Sequence, residues 1–219
     1  MAGTFTINVQ NRQPQTQSFY FFQQPSIFSG GGQAYSNSLF SQVLASYDTS
    51  GAVMTFMVEQ NYHAAIQQAN SMPQVGMPSG FASASRAIEL AGINGGHSND
   101  STMASVNPLG LSAPVSYQGV QPGAFRITTP GFTPPSMYNV GSAVSTNGGI
   151  ILSNFVVAYP MNNTDCQPVL KFYVQTGTYM PGAVINFTQA SIDAAMVDFT
   201  GGHSRCNVTL NADGTTQFQ

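Results

Sequence analysis

The stretch at residues 4–10, Thr-Phe-Thr-Ile-Asn-Val-Gln, alternates polar and apolar side chains without interruption. Its three apolar side chains, Phe5, Ile7 and Val9, fall on one side of an extended chain, and its polar side chains fall on the other. This period of two predicts a β-strand with one buried face. The stretch carries the first indication that the fold is built from strands.

A second indication comes from residues 206–218, which have the pattern of a β-hairpin. Cys-Asn-Val-Thr-Leu at 206–210 leads into the turn sequence Asn-Ala-Asp-Gly at 211–214, and Thr-Thr-Gln-Phe follows. Gly214 would supply the positive φ that such a turn favours. Four further segments of the C-terminal half are rich in strand-forming residues and mostly separated by Gly or Pro, namely 150–159, 169–175, 183–187 and 196–199.

The N-terminal half adds strand-like segments at 18–22, 39–44 and 52–58, the last apolar on both faces and therefore predicted to be central in a sheet. Strands that recur about every 8–15 residues without helical runs predict one all-β domain of residues 1–219. We expect a single antiparallel β-sandwich or barrel with long loops between Ala69 and Pro122. One or two short helices are expected.

The helix predictions rest on local sequence. Ser83–Leu90 has a capping serine at its start and a glycine just beyond its end, and is therefore predicted to be helical. Ala190–Met196 is the second candidate.

Formal charges are scarce, since only 13 of the 219 residues are Lys, Arg, Asp or Glu, whereas 19 are Gln and 16 are Asn. An ordinary soluble domain has about a quarter of its residues charged. This composition argues against a nucleic-acid partner, which needs a basic surface. It favours a neutral small molecule or a glycan as ligand, and a surface without ionic repulsion predicts a homo-oligomer. No run of 18 apolar residues occurs, so no membrane span is expected.

The first ten residues lack the basic start and apolar core of a secretion signal, which predicts a cytoplasmic protein. If the N-terminus were a processed one, the protein would instead be secreted. Cys166 and Cys206 are expected to be reduced thiols in the cytoplasm, with a disulfide as the alternative.

The chain has three histidines, His63, His97 and His203. Two of them lie in a repeated Gly-Gly-His-Ser sequence, at 95–98 and at 201–204. One interpretation joins all three histidines with Asp100 or Asp198 in a metal site; the other makes each repeat a glycine-rich turn. Because the ligand spacing typical of metal sites is missing, the turn interpretation is favoured, and no metal or cofactor is predicted.

Three functions fit these observations, and the favoured one is lectin-like binding of a neutral carbohydrate. Sugars pair well with planar amides and aromatic faces, which the loops at Ser71–Gln121 offer. The ligand-binding residues predicted there are Asn94, His97, Asn99, Asp100 and Tyr117.

The second hypothesis is a cofactor-independent enzyme of the cyclase or isomerase type, acting on an apolar small molecule within a cavity lined by Phe and Met. His97, His203 and Tyr117 would then serve as acid and base. The third is a self-assembling structural or capsid-like subunit, because a surface of low charge associates readily.

Overall fold

The computed structural model describes residues 3–92 and 98–218. Within them the chain forms strands and two four-residue helices, α1 (Tyr47–Ser50) and α2 (Phe187–Ala190). The strands are β1 (Thr4–Asn11), β2 (Gln17–Gln23), β3 (Ile27–Ser29), β4 (Ala34–Leu44), β5 (Met54–Glu59), β6 (His63–Ala69), β7 (Ala82–Ala87), β8 (Ser101–Val106), β9 (Leu109–Leu111), β10 (Phe125–Thr128), β11 (Met137–Thr146), β12 (Gly149–Val157), β13 (Asn163–Gln167), β14 (Lys171–Thr176), β15 (Val184–Ile185), β16 (Ala195–Asp198), β17 (Arg205–Leu210) and β18 (Thr216–Phe218).

The strands form two sheets. The larger follows the order β16-β14-β2-β4-β12-β11-β5-β1-β17-β18, with β6, β7 and β15 attached beside this path. The smaller follows the order β3-β13-β10-β8-β9. Among the described strand pairs, β1–β17 and β8–β10 are parallel and the others are antiparallel. The predicted all-β sandwich or barrel is confirmed.

The larger sheet curls around the first hydrophobic core, to which β1, β2, β4, β5, β14, β16 and β17 contribute. Phe5 on β1 stacks on Phe199, which follows β16, with ring centroids 4.4 Å apart. These two strands lie towards opposite ends of the strand order, so the sheet is almost closed on itself. Phe21 and Phe56 stack at 4.5 Å near the middle of this core. Much of the aromatic surplus of the sequence is thus used in packing.

A second core lies between the smaller sheet and the part of the larger sheet formed by β6, β11 and β12. Ile66, Val140 and Val156 pack there with Phe125 and Ile127 of β10, and all five are inaccessible to solvent. Strand β11 serves both cores, because Val140 belongs to the second core and Val144 to the first. The molecule therefore has a barrel-like part and a sandwich-like part joined by the β11–β12 hairpin.

The two helix predictions are wrong in their positions. Ser83–Leu90 falls largely on strand β7, which pairs with β6 from Ala82 to Ala87, so tertiary pairing overrides the local helical signal. Ala190–Met196 is likewise not a helix. Helix α2 ends at Ala190, after starting at the cap Asn186, whose side chain accepts a hydrogen bond from the Gln189 N–H.

The strand at 52–58, which is apolar on both faces in sequence, is central in its sheet as predicted, although only one face is buried. Strand β5 does lie inside the sheet, between β1 and β11, but it buries only Met54, Phe56 and Val58. Thr55 and Met57 on its other face are exposed. The exposed face of the sheet is not covered here, so an apolar residue such as Met57 remains in contact with solvent.

The C-terminal hairpin is confirmed, and its turn provides a stability test. Gly214 has φ +87°, and a Cβ added there would have ample space. Replacing Gly214 with Val should lower the free energy of unfolding by about 1–3 kcal/mol, because a β-branched residue resists positive φ. Urea denaturation measures the change. Ala212→Val in the same turn is the control and should change the free energy of unfolding by less than about 0.5 kcal/mol. If the two variants lost equal stability, the explanation from positive φ would be wrong.

Candidate functional site

The loop residues predicted to bind ligand take part in a local hydrogen-bond network. The buried carboxylate of Asp100 accepts hydrogen bonds from the Tyr117 backbone N–H, at 3.2 Å, and from the Ser98 hydroxyl, at 3.0 Å. The backbone N–H of Asn99 donates to the Glu89 carboxylate at 2.7 Å. Asn94 and His97, predicted beside them, lie outside the described residues. The structure thus brings Asp100 and Tyr117 into direct contact.

Arg126 occupies the centre of this network. Its guanidinium donates two hydrogen bonds to the Asp165 carboxylate, at 2.6 and 2.7 Å, and a third to the Gly119 carbonyl at 3.1 Å. The Tyr117 ring lies 5.4 Å from the guanidinium carbon. The hydrogen bonds to Asp165 raise the pKa of Arg126. The polar groups of Asp100 and Arg126 are therefore engaged within the protein, as in a structural network.

His203, proposed with Tyr117 as an acid or base, lies elsewhere. It follows Gly202, which has φ +85°, in the exposed turn that leads into β17 of the larger sheet. The neighbouring Ser204 carbonyl accepts a hydrogen bond from the Thr6 N–H of β1. Tyr117 instead adjoins the smaller sheet through Asp100 and Arg126. The turn interpretation of Gly-Gly-His-Ser is confirmed for the copy at 201–204.

Both cysteines are free thiols in the structure, as expected. Cys166 is buried in the second core, and this burial raises the pKa of its thiol to about 12. A thiol that stays protonated at neutral pH is a poor nucleophile. Cys166 therefore serves packing.

A partly enclosed cavity of about 170 Å³ lies where the barrel-like part meets the sandwich-like part. Strand β11 runs along it, and the chain bends beside it between the end of β5 and the start of β6. The cavity is lined by Phe5, Gln23, Val58, Glu59, Gln60, Asn61, Tyr62, His63, Ser142, Ala143, Val144, Pro168, Leu170 and Phe172.

His63 is the unusual member of this lining. Its ring nitrogens Nδ1 and Nε2 are both buried, and neither has a hydrogen-bond partner within residues 3–92 and 98–218. Burial lowers the pKa of His63, and the nearby Glu59 carboxylate offsets only part of that effect. The imidazole is therefore neutral at pH 7, with one donor and one acceptor nitrogen. Buried polar groups without partners are costly and rare, so these two atoms mark a place where another molecule can bind.

Two other polar groups of the lining are held in place from behind. Gln23 donates from its amide to the Val169 carbonyl at 2.8 Å, and its amide oxygen accepts from Asn154 at 3.3 Å. The Ser142 hydroxyl lies 3.1 Å from the hydroxyls of both Ser26 and Ser153. These side chains are ordered by the protein before any ligand arrives, which lowers the entropy lost on binding.

A β-bulge shapes the wall at Ser142. The register between β11 and β12 shifts between Ser142 and Ala143, leaving Ser153 of β12 as the extra residue. The Ser153 hydroxyl donates to the Ser142 carbonyl at 3.0 Å. Bulges bend a strand and redirect its side chains, and they are frequent beside functional sites.

From the sequence alone, His63 is considered only as one ligand of a possible metal site. Among the described residues no group of three or more His, Cys, Asp or Glu side chains is placed to bind a metal ion. The available signal was the polar run Glu-Gln-Asn-Tyr-His at 59–63, which directly follows an apolar strand. Tyr62 in this run is half-buried, and burial raises the pKa of its hydroxyl, so the phenol stays neutral.

Comparisons of the chain with protein-family models, with curated proteins and with solved structures found no match. No helix in the part of the chain described here is long and apolar enough to cross a membrane. The functional interpretation of the cavity beside His63 is therefore based on its geometry alone.

Proposed function

We propose that the protein binds a small neutral molecule in the cavity beside His63. The observation that carries this proposal is the pair of buried imidazole nitrogens, which have no partner among the residues that the structure describes. Two hydroxyl groups of a ligand can satisfy the pair, one accepting from the protonated nitrogen and the other donating to the unprotonated nitrogen. Such a ligand would satisfy groups whose burial otherwise destabilises the fold.

The size and lining of the cavity narrow the ligand class. A cavity of about 150 Å³ can hold benzene, so the 170 Å³ here suits about one six-membered ring. Phe5, Leu170 and Phe172 offer apolar contact, while Gln23 and Ser142 offer hydrogen bonds. A ring with one apolar face and a hydroxylated edge matches this lining. A single sugar residue is one such ring, which keeps carbohydrate binding among the proposals, now at this cavity.

A second candidate is catalysis at the same cavity. Because its pKa is lowered, the imidazole of His63 is an unprotonated base at neutral pH, and the Glu59 carboxylate that also lines the cavity stabilises the imidazolium formed when it takes a proton. Proton transfer within a bound ring compound is the reaction type that these two groups support. This assignment uses His63 in place of His97 and His203.

The test is binding of a panel of monosaccharides, cyclic alcohols and phenols, measured by saturation-transfer NMR and calorimetry. We expect at least one of these ligand classes to bind. His63→Ala should weaken its affinity by about tenfold or more, equivalent to about 1.4 kcal/mol of binding free energy. His203→Ala, in the exposed turn, is the matched control and should leave affinity unchanged.

Two further measurements sharpen the test. Nitrogen-15 NMR of the imidazole should show a neutral His63 whose shifts move on binding. Affinity should fall only as the pH drops through the lowered pKa of His63, which lies below the ordinary histidine value of about 6.5, because protonation removes the acceptor nitrogen. If no panel member binds, or if His63→Ala binds equally well, the proposal is wrong. Conversion of a bound ring compound, detected in the same spectra, would favour the catalytic candidate.

A further inference from the structure

Five segments that adjoin one another in the fold share an unusual property: none contains a Lys, Arg, His, Asp or Glu residue. They are residues 24–37, 71–81, 129–138, 157–163 and 177–188, which we call the uncharged surface. The 13 charged residues of the chain, if spread evenly, would place about three on these 54 residues. The charges of this protein are therefore confined to the rest of the molecule.

Direct contacts connect the segments. The Val184 N–H donates to the Met77 carbonyl at 2.9 Å, joining 177–188 to 71–81, and the Met161 N–H donates to the Pro130 carbonyl at 3.0 Å. The Asn162 amide donates to the Gly30 carbonyl, joining 157–163 to 24–37. A groove lined by Tyr35 and Val75 completes the connection between 24–37 and 71–81.

The uncharged surface also exposes large apolar side chains, of which Met161 is the most extreme. It is 85% exposed, and it alone among the described non-glycine residues has a positive φ, of 51°. Burying this exposed apolar side chain in an interface would be favourable. The other exposed apolar residues of this surface include Met72, Val75, Met77, Phe81 and Met180.

Two grooves lie beside these protruding side chains. One, of about 290 Å³, is lined by residues that include Pro25, Tyr35 and Phe187, and another, of about 320 Å³, by residues that include Pro78 and Tyr179. Each is large enough for a methionine side chain, which adapts readily to irregular gaps. Protruding methionines and receiving grooves thus occur on the same surface.

We infer that the uncharged surface is the contact between two copies of this chain. In a two-fold symmetric contact each copy presents the same residues, so a charged group near the axis would face its own like charge. A surface without charges avoids that repulsion. Eight of the 13 prolines lie in these segments, so the loops lose less entropy on association. Of the 54 residues, 44 are at least partly exposed, which exceeds the roughly 20–30 a side that a standard interface uses. This inference is independent of the cavity beside His63.

Sedimentation velocity over a range of protein concentrations tests the inference. We expect the wild-type chain to dimerise, with an affinity that changes little between about 50 and 500 mM NaCl, because no ion pair crosses the contact. Met161→Lys or Met180→Lys should weaken dimerisation by about tenfold or more. Met103→Lys is the matched control: Met103 is 64% exposed on β8, outside the uncharged surface, and its replacement should leave the dimer intact.

A contradiction would take one of three forms. The wild-type chain would stay monomeric at every concentration measured, or neither surface variant would weaken the dimer, or Met103→Lys would weaken it as much as they do. Binding of monomeric wild-type chain to neutral phosphatidylcholine vesicles, lost in Met161→Lys, would assign the surface to a membrane and overturn the inference. Circular dichroism of each variant confirms that it is folded, which the exposure of all three methionines leads us to expect.

Discussion

Replacing Arg126 with Met is expected to lower the free energy of unfolding by about 3–5 kcal/mol. The side chains of Arg126 and Asp165 are only 15% and 10% exposed and are joined by two short hydrogen bonds. Without the guanidinium, the Asp165 carboxylate stays largely buried with no opposite charge beside it, and the nearby Asp100 adds like charge. Leaving one member of a buried ion pair unpaired is among the most costly single substitutions.

Chemical denaturation measures this loss against two controls. Arg12→Met breaks the pair Arg12–Asp48, whose side chains are 48% and 57% exposed at 3.7 Å, and should change stability by no more than about 1 kcal/mol. The double variant Arg126→Met/Asp165→Leu should recover part of the lost stability, because it removes the carboxylate that Arg126→Met leaves unpaired. A double variant less stable than Arg126→Met would show that the unpaired charge is not the cause.

Gly141→Ala is expected to lower the free energy of unfolding by a comparable amount, about 3 kcal/mol or more. A Cβ at position 141 would lie 2.0 Å from the Asn154 carbonyl oxygen and 2.7 Å from the Phe155 Cα. Both atoms belong to the backbone of β12, so neither can move aside without breaking the β11–β12 pairing. Since Gly141 precedes Ser142, the same substitution should also distort the cavity wall and reduce ligand binding.

Gly110→Ala provides the matched comparison. Gly110 lies within strand β9, and a Cβ there would meet nothing within 4 Å. Replacing it with alanine should leave the free energy of unfolding unchanged or raise it slightly, because alanine restricts the conformations of the unfolded chain. Thermal unfolding of both variants distinguishes the close approach at Gly141 from a general effect of Gly→Ala in strands; a melting temperature of Gly141→Ala equal to that of Gly110→Ala would contradict the steric argument.

The sequence predicted strands well where apolar and polar residues alternate. Strand β1, with Ile7 and Val9 buried, and the β17–β18 hairpin both lie within a residue of their predicted positions. Strand β11 is not predicted because its buried side chains include the polar Asn139 and Ser142. Their hydrogen-bond partners include Ser79 and Ser26, which are far away in sequence. Strand β7 was missed because its small and polar residues resemble a helix start.

The candidate site was less predictable because its lining comes from distant parts of the chain. Phe5 and Phe172 both line the cavity although 166 residues separate them in sequence. The composition of the long loops predicts a ligand there, but Asp100 and Tyr117 in these loops contact one another, and the Tyr117 ring lies beside Arg126. Only the polar run ending at His63 is visible locally, and its burial depends on the fold of both sheets.

The parallel pairing of β1 with β17 has a consequence for how this chain reaches its fold. Thr6 lies opposite Arg205, so one edge of β1 gains its partner only when the chain has been made beyond residue 205. The other edge pairs earlier, with β5. Throughout most of synthesis β1 therefore presents an open strand edge beside an apolar face, which is the condition that favours aggregation of nascent chains. Contacts between residues so far apart also slow folding.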